Sequence, residues 1–151
     1  MIFLLRTFFL PWFADLIQAK LYSRCELAHV LENNGMDGFE NYSLADWICL
    51  AFYESGFETE TVDRHGDGTK DFGIFHINSG WWCEDEESGN GNVSENLCSV
   101  SCADLLGPDI TNDIACVKII VNASQGMGAW DGWTKHCESE DLSVWLKGCR
   151  I

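Results

Sequence analysis

The sequence predicts an α+β fold, on three observations. Apolar residues recur at helical spacing towards both ends of the chain, a turn-rich alternating stretch lies between them, and eight cysteines run through both regions. The first 19 residues, MIFLLRTFFLPWFADLIQA, read as a secretory leader cleaved after Ala19, although Arg6, Pro11 and Asp15 interrupt its apolar run. Those two charges also argue against a membrane anchor, which needs about 20 uninterrupted apolar residues. Residues 20–151 then form one domain, without repeat or linker. A first helix is predicted over Arg24–Asn34, with Leu27, Val30 and Leu31 on one stripe and Gly35 as its stop. Ser43 and Asp46 form a capping box for a second helix, whose inner face is Leu44, Trp47, Ile48 and Ala51 and which ends at Gly56. Thr61–Ser79, with its Gly66-Asp67-Gly68 turn and the run Phe72-Gly73-Ile74-Phe75, reads as a small antiparallel sheet. Residues 84–97 are acidic, rich in Gly and Asn, and loop-like. A third helix follows Pro108 through Ile110, Ile114, Val117 and Val121, and shorter ones cover Ala129–His136 and Leu142–Leu146.

Composition narrows the function. The chain has 151 residues, 46% hydrophobic and 22% charged, with two prolines, which excludes a disordered chain. Nine basic residues against 24 acidic ones give a net charge of -15. Such a surface repels phosphate backbones and anionic lipid, so nucleic-acid binding by counterion release is excluded. The even number of cysteines implies four disulfides formed in an oxidising compartment, hence a secreted protein. Zinc ligation is the competing use, but Cys98 and Cys102 have no second close pair and the adjacent His136-Cys137 suits no common tetrahedral site. No structural metal or cofactor is therefore expected.

Two carboxylates stand out. Glu54 falls at the last turn of the second helix among Leu50, Ala51, Phe52 and Tyr53, an apolar setting at the negative end of a helix dipole that favours the protonated acid. Asp71 follows the hairpin turn among Thr69, Lys70 and Asn78, a polar setting that favours the anion. One protonated and one ionised acid is the division of labour for cleaving a glycosidic bond. In a chain with 24 acids such a pair also arises from solvated surface groups, so spacing alone does not decide. Trp81, Trp82 and Trp130 offer flat faces on which sugar rings stack, and adjacent Trp81 and Trp82 cannot both point inward. Trp47 and Trp133 are assigned to the core.

These pieces form a recognisable whole. Arg24-Cys25-Glu26-Leu27-Ala28, Tyr53-Glu54-Ser55, Asp67 to Phe75, Ile77-Asn78-Ser79, Trp81-Trp82-Cys83, Gly126-Met127 and Ala129-Trp130, with all eight cysteines in order, resemble the C-type lysozyme and α-lactalbumin family from Lys20 to Cys149. Lys20 to Cys25 and Trp145 to Cys149 are most similar to its sperm acrosomal lysozyme-like branch. The resemblance implies a helical lobe and a small β-lobe around a cleft, with pairings Cys25–Cys149, Cys49–Cys137, Cys83–Cys102 and Cys98–Cys116. It implies Glu54 as general acid, Asp71 as nucleophile, and Asn78, Trp81, Trp82, Ala129 and Trp130 as contacts to N-acetylhexosamine units. The substrate implied is peptidoglycan or a related N-acetylglucosamine polymer, cleaved at β-1,4 linkages by a monomer that is secreted or held in the acrosome. The competing readings are a sugar-binding fertilisation protein using the same cleft without turnover, and a lactalbumin-like regulatory subunit, which would lack the acids.

Four departures from the family pattern carry expectations of their own. His76 stands where Gln is usual and should alter the charge around Asp71; His65 replaces an Asn that supports the aspartate. The calcium-loop positions read Gly107, Asn112 and Asp113, with carbonyls from Asp104 and Asp109, a poor set for a hard cation wanting six to eight oxygens. The Glu84-Asp85-Glu86-Glu87 run beside the tryptophans should weaken attack on anionic cell walls. Asn41, Asn92 and Asn122 head glycosylation sequons, Asn92 in the most loop-like setting.

Overall fold

The computed structural model describes residues 18–87, 93–123 and 125–151. The predicted leader lies outside them except for Gln18 and Ala19, and so does Asn92. Helix α1 spans Arg24–Asn33, with Ser23 and Glu26 completing a capping box at its start. Helix α2 spans Leu44–Ser55, opened by the Ser43–Asp46 box and closed by Gly56 in the left-handed conformation at φ 62°. Its inner face is the centre of the core: Trp47, Ile48, Cys49, Leu50 and Ala51 are all fully buried. Tyr42 meets Trp47 and Trp133 edge to face, at 6.2 and 5.6 Å between centroids.

Strands β1 (Val62–Arg64), β2 (Lys70–Phe72) and β3 (Ile77–Asn78) form one antiparallel sheet in that order. Asp63 pairs with Asp71 across the first hairpin, and Asp71 with Asn78 across the second. The run Phe72–Phe75 is therefore not a strand beyond its first residue. Gly73 adopts φ 77° and His76 φ 48°, and the chain between them turns. Ile74 and Phe75 are both fully buried, which an alternating strand with one wet face does not permit. Their carbonyls are claimed by the helical lobe, by Ser55 Oγ at 2.7 Å and by Trp130 Nε1 at 2.8 Å. This turn stitches the two lobes together.

Helix α3 spans Thr111–Val121, one residue later than the apolar spacing began, because Ile110 serves as its cap. The predicted Ala129–His136 helix is two pieces, a 3₁₀ turn over Gly126–Ala129 and helix α4 over Asp131–His136, with Trp130 extended between them. Leu142–Leu146 reduces to a 3₁₀ turn at Ser143–Trp145. All four disulfides have the implied pairing, and no cysteine is free. Cys25–Cys149 and Cys49–Cys137 tie α1 and α2 to the C-terminal segment; the other two staple residues 83–116. Among the described residues no helix is long and apolar enough to cross a membrane.

Candidate active site

The two lobes face each other across a cleft of about 970 Å³. Glu54 and Asp71 line it together with Asn78, Trp81, Trp82, Ala129 and Trp130, so every candidate site residue named from sequence reaches one cavity.

Glu54 arrives from the last turn of α2 with its side chain 15% exposed. Its Oε1 accepts the backbone N–H of Gly132 at 3.2 Å, and its Oε2 lies 3.5 Å from His76 Nδ1. Gly132 is a close fit, since a Cβ there would come within 2.5 Å of the Glu54 oxygen. Asp71 comes from the middle of β2, in the sheet. Its Oδ1 accepts from Asn78 Nδ2 at 2.9 Å, and its Oδ2 lies 2.7 Å from His65 Nε2. Asn78 is itself held, donating to Thr69 Oγ1 and accepting from the Gly80 N–H, so its amide faces Asp71 in a fixed sense. The hydrogen bond to Asp71 holds the His65 imidazole above the usual histidine range, with Asp63 and Asp67 acting in the same direction. Lys70 turns away from the site: its Nζ is 2.8 Å from Asp85 Oδ2, an almost buried ion pair.

Two expectations are corrected. His76 does not approach Asp71; it sits in the turn before β3 against Glu54, while His65 is the imidazole on Asp71. Trp130 reaches the cleft but is only 5% exposed and spends its N–H on the Phe75 carbonyl, so it belongs to the wall between the lobes and leaves no broad face for stacking. Within the acidic run, Asp85 is buried against Lys70. Trp81, by contrast, is 60% exposed while Trp82 packs against the core, the split that adjacency required. Trp47 and Trp133 are core residues as assigned.

Sequence reasoning did not single out Asp63 or Gly132. Asp63 was recoverable: the 66–68 turn sets His65 opposite Thr69, and counting back two residues puts Asp63 opposite Asp71. Nothing in the sequence signalled Gly132, whose role depends on how α4 packs on α2. At the calcium-loop positions, Asn112 donates its amide to the Asp104 carbonyl at 3.4 Å, and Gly107 brings no ligand. Asp113 is fully buried with both carboxylate oxygens unpartnered, and burial pushes its carboxyl up to about 8. One carboxylate that prefers its proton does not make a calcium cage.

The model of the C-type lysozyme/alpha-lactalbumin family matches residues 20–149. The chain belongs to that family. Sperm acrosome-associated protein 5 of Mus musculus is 49% identical over 136 residues, covering 89% of this chain and 82% of the relative. Lysozyme-like protein 6 of Homo sapiens is 49% identical over 139 residues, covering 92% and 91%. Lysozyme C of Dromaius novaehollandiae is 44% identical over 134 residues, covering 89% of each. The crystal structure of lysozyme from Equus asinus superimposes with a TM-score of 0.81 at 45% identity, covering 87% of this chain and all of that one. The lysozyme fold, with its helical lobe, three-stranded sheet and four disulfides, is therefore this chain's fold.

Proposed function

We propose that the chain is a glycoside hydrolase of lysozyme type, cleaving β-1,4 linkages in peptidoglycan or a related N-acetylglucosamine polymer. The observation that carries this is that Glu54 of α2 and Asp71 of β2 line one cleft in different hydrogen-bonding environments. Glu54 gives its proton to the leaving glycosidic oxygen as that bond breaks. Asp71, aimed by Asn78, attacks the anomeric carbon and forms a glycosyl ester. Water then attacks the same carbon, giving its proton back to Glu54 and releasing Asp71. The exposed Trp81 face is a platform for a pyranose ring, and Asn78, Trp82, Ala129 and Trp130 complete the sugar-contacting wall. The leader is removed after Ala19 and the mature monomer, residues 20–151, is secreted or stored in the acrosome, as its relatives' names suggest. Glycosylation falls on Asn41, Asn92 or Asn122; of these, Asn41 and Asn122 are exposed.

A second reading, a sugar-binding protein of fertilisation with little bacteriolytic activity, is favoured by the likeness to sperm acrosome-associated protein 5 and by the net charge of -15. Turnover of a soluble chitooligosaccharide separates the two. The hydrolase reading requires measurable product from the wild-type chain and a loss of about a hundredfold or more in Glu54→Gln, the usual scale for a general acid. Equal rates for the two proteins, with binding retained, would leave the sugar-binding reading in its place.

A further inference from the structure

The first hairpin sets three metal-ligating groups on the cleft side of the sheet. Asp63 and Asp71 are direct cross-strand partners, and His65 lies two residues beyond Asp63, on the same face of the hairpin. One ligand atom from each of the three lies within 4.8 Å of the other two, and His65 Nε2 is already 2.7 Å from Asp71 Oδ2. No other group of three His, Cys, Asp or Glu side chains gathers this closely among the described residues. Two carboxylates placed opposite each other in a ladder repel; Lys70 is held by Asp85, which leaves His65 as the neighbour that lies against Asp71.

We propose that Asp63, His65 and Asp71 form a binding site for a zinc-class divalent cation, and that its occupancy takes Asp71 out of hydrolysis. The donor set decides the class. One imidazole nitrogen and two carboxylate oxygens suit zinc and its borderline neighbours, whereas calcium needs more oxygens than the hairpin supplies. Tetrahedral zinc with bonds of about 2.0–2.1 Å brings its ligand atoms to roughly 3.3 Å apart. The exposed Asp63 carboxylate is free to close that gap, since nothing among the described residues holds it. The fourth position then faces the cleft and takes water. A cation on Asp71 neutralises the charge and occupies the oxygen that hydrolysis requires. That effect on turnover rests on the hydrolase reading; the binding itself does not.

Calorimetric titration of the oxidised chain with zinc chloride tests the site. The wild type should bind one zinc, as should His29→Asn, whose histidine is exposed on α1 far along the chain from the hairpin. Asp63→Asn and His65→Asn should each weaken binding by at least about tenfold, the scale on which even a ligand's outer partner counts. No saturable binding in the wild type, or equal affinity in all four proteins, overturns the site. Chitooligosaccharide turnover, each protein compared with its own chelator-treated rate, tests the consequence. Zinc should slow the wild type and leave Asp63→Asn near its own rate at the same concentration. Tight zinc binding with unchanged wild-type turnover overturns the second half of the proposal. A chelator-treated wild type without turnover removes the hydrolase reading, while the titration still decides the cation site.

Discussion

Asp113 is the residue most at odds with its surroundings. It lies in α3 with no exposure and no hydrogen-bond partner for either carboxylate oxygen, and burial raises its carboxyl to about 8 from the ordinary 3.8. Gly73, at the lobe-joining turn, packs so close that a Cβ there would sit 2.6 Å from Asp113 Oδ2 and 2.3 Å from the Leu105 carbonyl oxygen. Between the unfolded and folded values the native chain keeps a proton that the unfolded chain releases, so stability falls as pH rises through that window. The cost is complete once pH exceeds about 8 and is bounded at roughly 6 kcal/mol, with native-state relaxation reducing it. Asp113→Asn should therefore gain on the wild type steadily between pH 4.5 and 8 in thermal unfolding. A stability difference independent of pH would show that Asp113 carries no such strain.

At the scale of elements, legibility followed how local the determining physics is. The Ser43–Asp46 box opened α2 as read, because its partners lie three residues apart and both bonds close within one turn. The helix stops at Gly35 and Gly56 were readable for the same reason: both glycines take positive φ just past a helix. Phe72–Phe75 was misread because its apolar run is equally consistent with a strand and with a segment buried on every side. Its partners, Ser55 and Trp130, lie 19 and 55 residues away, where no spacing rule reaches. That Glu54 and Asp71 would line one cleft was expected from the family resemblance, and both do. The place of His65 beside Asp71 followed from the family pattern, but that of His76 did not, because the turn that carries His76 towards Glu54 is itself a product of the lobe contact. The burial of Trp130 was hidden likewise: its indole N–H finds a buried carbonyl only after both lobes are in place.

On the whole molecule, charge sets the partner. A net charge of -15 surrounds the cleft with a field that opposes an anionic cell wall, while the cleft itself works at contact range. Salt shortens that field to a Debye length of about 10 Å at 0.1 M and hardly touches groups in hydrogen-bond contact. Added salt should accordingly raise lysis of whole bacteria by this protein while leaving turnover of an uncharged chitooligosaccharide nearly flat. Falling lysis with salt would mean that repulsion is not what limits access. The same field draws divalent cations towards the Asp63 hairpin, so bacteriolysis and zinc sensitivity belong to one electrostatic argument.

The claim on which the account rests is that Asp71 forms a bond to sugar with Glu54 as its acid partner. Intact-mass and peptide mapping of Glu54→Gln exposed to a 2-fluoro chitobiosyl fluoride tests it most directly, because the fluoride leaves without an acid and the intermediate is slow to hydrolyse. The account predicts one added disaccharide per chain, carried by the peptide that contains Asp71. An unlabelled protein, or a label on any other residue, would contradict it.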